Sequence, residues 1–355
     1  MSINNPILET KDLSIGYHGK KNQDKIIFGN INLKATKAEL VALLGANGIG
    51  KSTLLRNLVK LQNPLSGEII IFDRNIQSFS RNEMARKVGY VSTEIIQVNN
   101  LKVYELVALG RYPHTGWMGG LGHKDSEKVE EAIEMVGLNN LRGKNINQLS
   151  DGERQRTMIA RTLAQDTELI VLDEPTAFLD MPNKYETVHL LHRLAKEKNK
   201  TIIFSTHDLS IAIQEADKLW LMLDNSILQG APEDLILKGS FGQLFEKSKL
   251  RFNSEKGEFR IARELSGNIF IEGPETELHW TKNALERSGL HVTSNSNSPV
   301  KVFVSTDQKI IKWILVMPSG KQEFFSIYDL ALYLNKSGIG KTISPVNSYQ
   351  DTSQG

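Results

Sequence analysis

The chain has 355 residues, a hydrophobic fraction of 40% and interspersed charges, which suits a soluble globular protein of one large domain plus a small one, or two medium ones. A net charge of +2 argues against a nucleic-acid coat. The lack of cysteine excludes disulfides and thiolate metal sites and is compatible with a reducing compartment.

The first six residues have no basic start and no apolar core, so no signal peptide is expected. No run approaches the roughly 20 apolar residues that span a bilayer. Work at a membrane would then go through other subunits. Residues 7–33 read as two strands around a polar turn holding His18, Gly19, Lys20, Lys21, Asn22 and Asp24. Leu13, Ile15 and Tyr17 alternate on one face, as do Ile27, Ile31 and Leu33. An exposed Tyr17 could stack on an adenine ring; by itself it reads as an ordinary strand tyrosine.

Residues 40–44 form a short apolar run that predicts a buried strand. Gly45, Ala46, Asn47, Gly48, Ile49, Gly50, Lys51, Ser52 and Thr53 follow and fit the phosphate-loop pattern G-x-x-x-x-G-K-[ST]. Residues 53–61 then predict a helix with Leu54, Leu58 and Leu61 on one face. Gly45, Gly48 and Gly50 are expected to let the backbone turn tightly and bring its N–H groups to phosphate oxygens. The helix dipole points at the same anion. Lys51 can reach the β and γ phosphates, and the Ser52 hydroxyl can ligate Mg²⁺.

Residues 68–72 predict a strand, 81–87 a short helix, 89–92 a strand and 103–110 a helix. Residues 111–123, with Arg111, Tyr112, Pro113, His114 and Trp117, are expected to form an exposed loop, either a contact surface or a flexible connection. Residues 125–137 predict an amphipathic helix with Val129, Ile133 and Val136 inward. Ser150 is a good N-cap for a helix running to about Leu163, and Asp151 and Glu153 suit its first turn.

An apolar strand at 169–172 delivers Asp173 and Glu174. A carboxylate at the end of a strand downstream of a phosphate loop is the expected Mg²⁺ partner of Ser52, and the adjacent acid can hold the attacking water. A helix at about 183–197 precedes a strand at 201–206 that ends on His207. A lone histidine is more often structural; at the end of a strand beside the phosphate strand it becomes a candidate, since ligands gather there. Residues 218–223 and 226–229 predict a strand pair, and 232–238 a short helix.

Near residue 265 the character changes. Strands are expected at 268–272 and 300–304, helices at 276–288 and 328–334, and a hairpin from 313–317 and 321–325 around Pro318, Ser319 and Gly320. Gly338-Ile339-Gly340-Lys341-Thr342 mimics a phosphate loop, but Asn335 stands where the first glycine belongs and Pro345 disfavours a helix, so it reads as a plain loop. The last ten residues, 346–355, are polar and expected to be disordered.

In order and spacing, residues 5–262 resemble the ATP-binding subunit of an ABC transporter. Gly45 to Thr53 is similar to the Walker A loop, Leu149 to Glu153 to the ABC signature, and Leu169 to Glu174 to the Walker B strand with its glutamate. Phe178-Leu179-Asp180 resembles the D-loop, His207 the switch histidine and Tyr17 the A-loop aromatic. Ala108 to His114 and Ile227 to Leu235 resemble more narrowly the importer ATPases for iron–siderophore, haem and cobalamin complexes.

The resemblance implies an α/β fold: a P-loop NTPase cassette at 1–262, with a RecA-like core, an antiparallel β subdomain and a helical subdomain. A small α+β accessory domain would occupy 263–345. It implies ATP and Mg²⁺ as cofactors, Glu174 and His207 as catalytic residues, and Tyr17 and the Walker A residues as nucleotide contacts. Ser150, Asp151, Gly152 and Glu153 would contact a nucleotide held by a second copy of the chain. Ser52 and Asp173 would hold the metal.

The implied partners are that second copy, a transmembrane permease docking near 111–123 and after Ser92, and, indirectly, an extracytoplasmic binding protein, with no nucleic acid. The place implied is the cytoplasmic face of the bacterial inner membrane. A soluble ABC ATPase serving assembly or regulation is the alternative.

Two positions depart from the family pattern. Thr93 and Glu94 stand where a Q-loop glutamine is usual, and Thr93 is the first candidate to reach Mg²⁺ through water. Asp151 replaces a signature glycine. Its carboxylate would repel a γ-phosphate, so its side chain is expected to point away while Ser150 and Gly152 face the nucleotide. The accessory domain is either a regulatory or docking unit or a stabilising appendage.

Overall fold

The computed structural model describes residues 5–19, 23–92, 100–115, 120–246, 249–254, 257–308 and 310–339. The chain divides into two compact units, Met1–Arg260 and Ile261–Gly355.

In the first unit the strand Leu40–Gly45 is apolar along its length because both of its faces are covered. It lies within a six-stranded sheet of order Ile227–Gly230, Lys218–Met222, Leu40–Gly45, Thr201–Thr206, Leu169–Leu172, Val88–Val91. All neighbours pair in parallel except Ile227–Gly230, an antiparallel edge strand. The two-residue period splits the central strand between two cores. Leu40, Ala42 and Leu44 pack with the helices Val103–Ala108, His123–Met135, Asp151–Ala164, Met181–Glu197 and Leu209–Glu215. Val41 and Leu43 pack with the helix Lys51–Leu58 and a second, antiparallel sheet. That sheet runs Lys25–Ile31, Leu8–Tyr17, Ser66–Ile71, Arg74–Asn75, with Lys34–Ala35 added to Leu8–Tyr17. Leu54, Leu55 and Leu58 are fully buried there, each contributing about 1.5–3 kcal/mol of hydrophobic stabilisation.

This packing brings strand ends together. Leu44 pairs with Thr206 and Leu172 with Phe204, so three adjacent parallel strands finish at one edge. The residues just past them include Ala46, Asp173 and His207. Open α/β sheets bind ligands at that edge.

In the second unit, a sheet of order Leu290–Thr293, Ser266–Glu272, Val300–Asp307, Ile310–Met317, Gly320–Phe324 carries the helices Glu275–Arg287 and Ile327–Lys336. Ile269, Val302, Leu315, Leu285 and Leu330 form its core. The indole N–H of the buried Trp313 donates to the Thr281 hydroxyl at 2.8 Å, so the ring is satisfied on the polar side too. Both units carry the α/β and α+β architectures expected from the sequence.

Several details differ from expectation. The helix after the phosphate loop ends at Leu58, because Lys60 takes a φ of 59° and breaks the turn. Leu61 therefore lies outside it and is 63% exposed. Residues 111–114, expected to begin an exposed loop, instead belong to a 3₁₀ helix, Leu109–His114. Within it Arg111 is buried, bonded to Asp125 at 2.9 Å and to the Ala164 carbonyl at 2.7 Å. His114 shares a 2.9 Å hydrogen bond with the Gln165 carbonyl; Tyr112 remains exposed. The helix Leu209–Glu215, the strand Leu290–Thr293 and the hairpin Leu250–Asn253 with Glu258–Ile261 were not foreseen. All are short, and the strands owe their conformation to partners distant or weakly patterned in sequence. Thr93, Glu94, Trp117, the lysine end of the mimic loop and the terminal tail lie outside the described residues.

Candidate functional site

The phosphate loop begins where the central strand ends. Gly48 and Gly50 stand at φ 78° and 115°, in the left-handed region that L side chains rarely adopt. Gly45 serves differently from expectation. It is the last strand residue and has no positive φ; a Cβ there would come within 3.0 Å of Met222 Cβ and 3.1 Å of Ile49 Cγ2. Close packing rather than turning requires that glycine.

Lys51 is 5% exposed and curls onto its own loop. Its Nζ donates to the carbonyls of Gly45 at 3.0 Å and Ala46 at 3.3 Å, and lies 3.5 Å from Glu174 Oε1. Glu174 Oε2 is 3.8 Å from His207 Nδ1. Lys51, Glu174 and His207 thus lie in one chain of contacts across the strand ends. Ser52 is exposed, and Thr53 is buried with Oγ1 3.4 Å from the Tyr17 hydroxyl.

Lys51, Ser52, Thr53, Tyr17 and Glu174 line a cleft of about 700 Å³, whereas His207 lines a smaller adjoining pocket with Ala46, Asn47 and Leu209. The walls of the larger cleft are Asn47, Gly48 and Gly50 through Thr53 on the loop, Tyr17, Lys25, Ile26 and Ile27 from the antiparallel sheet, and Glu174. Backbone donors, the Lys51 ammonium and an exposed hydroxyl on one side, with an aromatic and largely apolar rim that also carries Lys25 on the other, suit a polyphosphate joined to a flat base.

Asp173 is 3% exposed. Its N–H donates to the Val91 carbonyl at 2.8 Å, and its Oδ1 accepts from the Ser205 hydroxyl at 2.7 Å. Its second oxygen takes no hydrogen bond from the described residues. With the Ser52 hydroxyl it supplies the hard oxygen donors that Mg²⁺ prefers. No group of three or more acids, histidines or cysteines among the described residues makes a closed metal cage. Ser205 was missed by sequence reasoning. The only signal was a small polar residue near the end of an apolar strand.

The signature segment is brought to the helical side of the unit, and Ser150, Asp151, Gly152 and Glu153 do not line the cleft. Ser150 caps the helix Asp151–Ala164 in a reciprocal box: its hydroxyl accepts the Glu153 N–H at 3.2 Å, and Glu153 Oε2 accepts the Ser150 N–H at 2.8 Å. The Ser150 N–H, together with nearby Lys144, holds the Glu153 carboxyl below its ordinary range. Because Ser150 accepts in this box, its own proton stays free to donate. The Asp151 carboxylate is 3.0 Å from Arg154 Nη1 and its side chain is 62% exposed. Gly152 is buried, and a Cβ there would sit 2.6 Å from Asn183 Oδ1. Asn183 is in turn held by Asp180, the cap of the helix Met181–Glu197. Before that cap, Phe178 stands at φ 65° and is 82% exposed.

Comparison with known proteins follows the same division. Residues 28–177 match the family model described as ABC transporter, and residues 266–335 match that of the iron ABC transporter C-terminal domain. An ABC transporter ATP-binding protein of Methanocaldococcus jannaschii, itself uncharacterised, is 33% identical over 256 residues, 72% of this chain and 87% of that protein. A petrobactin import ATP-binding protein of Bacillus anthracis is 38% identical over 230 residues, 64% of this chain and 82% of that one. Among solved structures, the dimeric post-hydrolysis state of an ATP-binding cassette bound to ADP and Pi aligns with a TM-score of 0.55 at 26% identity, covering 63% of this chain and 98% of that chain.

Proposed function

This chain belongs to the ABC transporter ATP-binding family, and on that premise we propose that it drives import of an iron–siderophore complex, or a haem or cobalamin, through a separate transmembrane permease. The family's activity is ATP binding and hydrolysis. The iron assignment is supported by the C-terminal domain model and by relatives named for siderophore import, including petrobactin import. The same support weighs against a soluble assembly or regulatory ATPase. No helix among the described residues is long and apolar enough to cross a membrane. From its likeness to import ATP-binding proteins we place the chain at the cytoplasmic face of the bacterial inner membrane, against permease subunits, with an extracytoplasmic binding protein as an indirect partner.

One observation carries the mechanism: the cleft gathers Tyr17, the phosphate loop and Glu174 but lacks the signature cap. A second copy, packed head to tail, would supply it. The free Ser150 proton and the positive end of the helix Asp151–Ala164 would then face the γ-phosphate. A relative of this fold is dimeric in its solved structure, which supports the arrangement.

On nucleotide entry Lys51 exchanges the loop carbonyls and Glu174 for phosphate oxygens. Glu174, released, orients a water and accepts its proton as the water oxygen bonds to the γ-phosphorus and the bond to the β-phosphate oxygen breaks, giving ADP and phosphate. His207, beside Glu174 Oε2, braces the water and the γ-phosphate. Ser52 and, through water, Asp173 would hold Mg²⁺, which neutralises phosphate charge when bound. Loss of the γ-phosphate removes the charge that joins the two copies.

A strain lacking this gene, complemented with wild type or Glu174→Gln, tests the reading by uptake of labelled ferric siderophore, haem and cobalamin. Wild type should restore one of the three and Glu174→Gln none. Restoration by both, or of none by wild type, would contradict it.

A further inference from the structure

Ser205 lies in the strand Thr201–Thr206 with no exposed surface. A hydroxyl inside a sheet must find partners or destabilise the fold. Here both partners belong to the acidic pair. Ser205 Oγ donates to Asp173 Oδ1 at 2.7 Å and accepts the Glu174 N–H at 2.8 Å. The direction is forced, because an amide N–H can only donate. The serine proton is therefore committed to Asp173, at a length usual for a hydroxyl bonded to a charged carboxylate.

Glu174 needs such an anchor. It stands at φ 45°, where L side chains rarely rest. That turn sends its carboxylate between Lys51 and His207. The Glu174 carbonyl accepts from Ala177 N–H at 3.0 Å, which closes the turn on the far side. On the near side the Glu174 N–H is held, among the described residues, by Ser205. One hydroxyl thus ties a strained backbone to the acid before it.

We propose that Ser205 is a positioning residue for ATP hydrolysis: it locks the orientation of Asp173 and the left-handed turn of Glu174 together. The proposal rests on the ATPase reading of this pair. Direct nucleotide contacts within this copy come from the loop and the Tyr17 wall, which Ser205 does not touch, and its partner Asp173 would reach the nucleotide only through water and Mg²⁺. Loss of the hydroxyl should therefore slow turnover while leaving ATP affinity nearly unchanged.

The test uses the full chain with Ser205→Ala, Ser205→Thr and Ser205→Cys, each also combined with Glu174→Gln. Phosphate release gives kcat and KM, single-turnover assays cover the slow variants, and titration with a fluorescent ATP analogue gives Kd. Ser205→Ala should lower kcat on the order of tenfold or more, with KM and Kd within about twofold. Ser205→Thr should recover kcat to within about threefold of wild type, because it restores donor and acceptor. Cysteine, a weak donor, should fall between. In the Glu174→Gln background Ser205→Ala should add little, since the two act as a unit.

Wild-type kcat in Ser205→Ala would overturn the proposal. So would a loss that repeats in full in the Glu174→Gln background, which marks a general structural defect. If the extra methyl of threonine unfolds that variant, the combined variants still decide. If Glu174→Gln hydrolyses ATP normally, the ATPase reading of the pair fails first. If Glu174→Gln is slow and Ser205→Ala is not, only the role of Ser205 fails.

Discussion

Lys51 Nζ sits 3.5 Å from Glu174 Oε1 while donating to two carbonyls of its own loop. A buried ammonium needs all three partners, and a triphosphate can replace each of them. Lys51→Ala should therefore cost ATP affinity of about 3 kcal/mol, roughly 100-fold in Kd. Calorimetric titration with ATP reads this directly. A Kd within threefold of wild type would show that the loop binds phosphate without its lysine.

Glu174→Gln keeps the size of the side chain but removes its charge and its capacity as a base. Turnover should fall roughly 10²- to 10⁴-fold with binding intact. If a second copy completes the cleft, unhydrolysed ATP should trap a dimer. Size-exclusion chromatography should show that dimer with ATP and not with ADP. A monomer under every nucleotide condition would sink the two-copy mechanism.

The parts of the site that could be read in sequence are those built from consecutive residues. Gly48, Gly50, Lys51 and Ser52 fall within five consecutive residues, and Asp173 and Glu174 are adjacent, so a strand followed by a loop was enough to find them. Ser205 was not legible because its meaning lies in partners 31 and 32 residues away, across a strand pairing. Arg111 was misread for the same reason. A charged residue among aromatics looks exposed until Asp125 and the Ala164 carbonyl are brought to it by helix packing. The strand Leu290–Thr293 has only four residues, and its pairing with Ser266–Glu272, not its own pattern, makes it a strand.

Asp151 departs from the family's signature glycine, yet its charge is turned onto Arg154 at 3.0 Å. An exposed pair of this kind contributes little stability, about 0–1 kcal/mol. Asp151→Gly should leave the fold intact and removes a carboxylate from the neighbourhood of the γ-phosphate expected there. Steady-state kcat should stay within about twofold or rise. A collapse of ATPase activity with normal melting would mean that the carboxylate itself takes part.

Arg111 and Asp125 form a pair whose consequence is a pH dependence of stability. The Arg111 guanidinium, with help from the Gly122 N–H, holds the Asp125 carboxyl below its ordinary range. A carboxyl with a lowered folded value contributes stability that is fully present above its unfolded value, near ~4. That contribution is lost as pH falls through the folded value, so the pair matters at neutral pH and fades in acid. Asp125→Asn should lower the melting temperature at pH 7 and lose less on further acidification than wild type does. Arg111→Ala should be worse, by about 2–4 kcal/mol, because it also abandons the buried Ala164 carbonyl and leaves the Asp125 carboxylate with the Gly122 N–H but no cation. Melting curves from pH 3 to pH 8 check both. Parallel wild-type and Asp125→Asn curves across that range would show that the pair holds the helices by packing and not by charge.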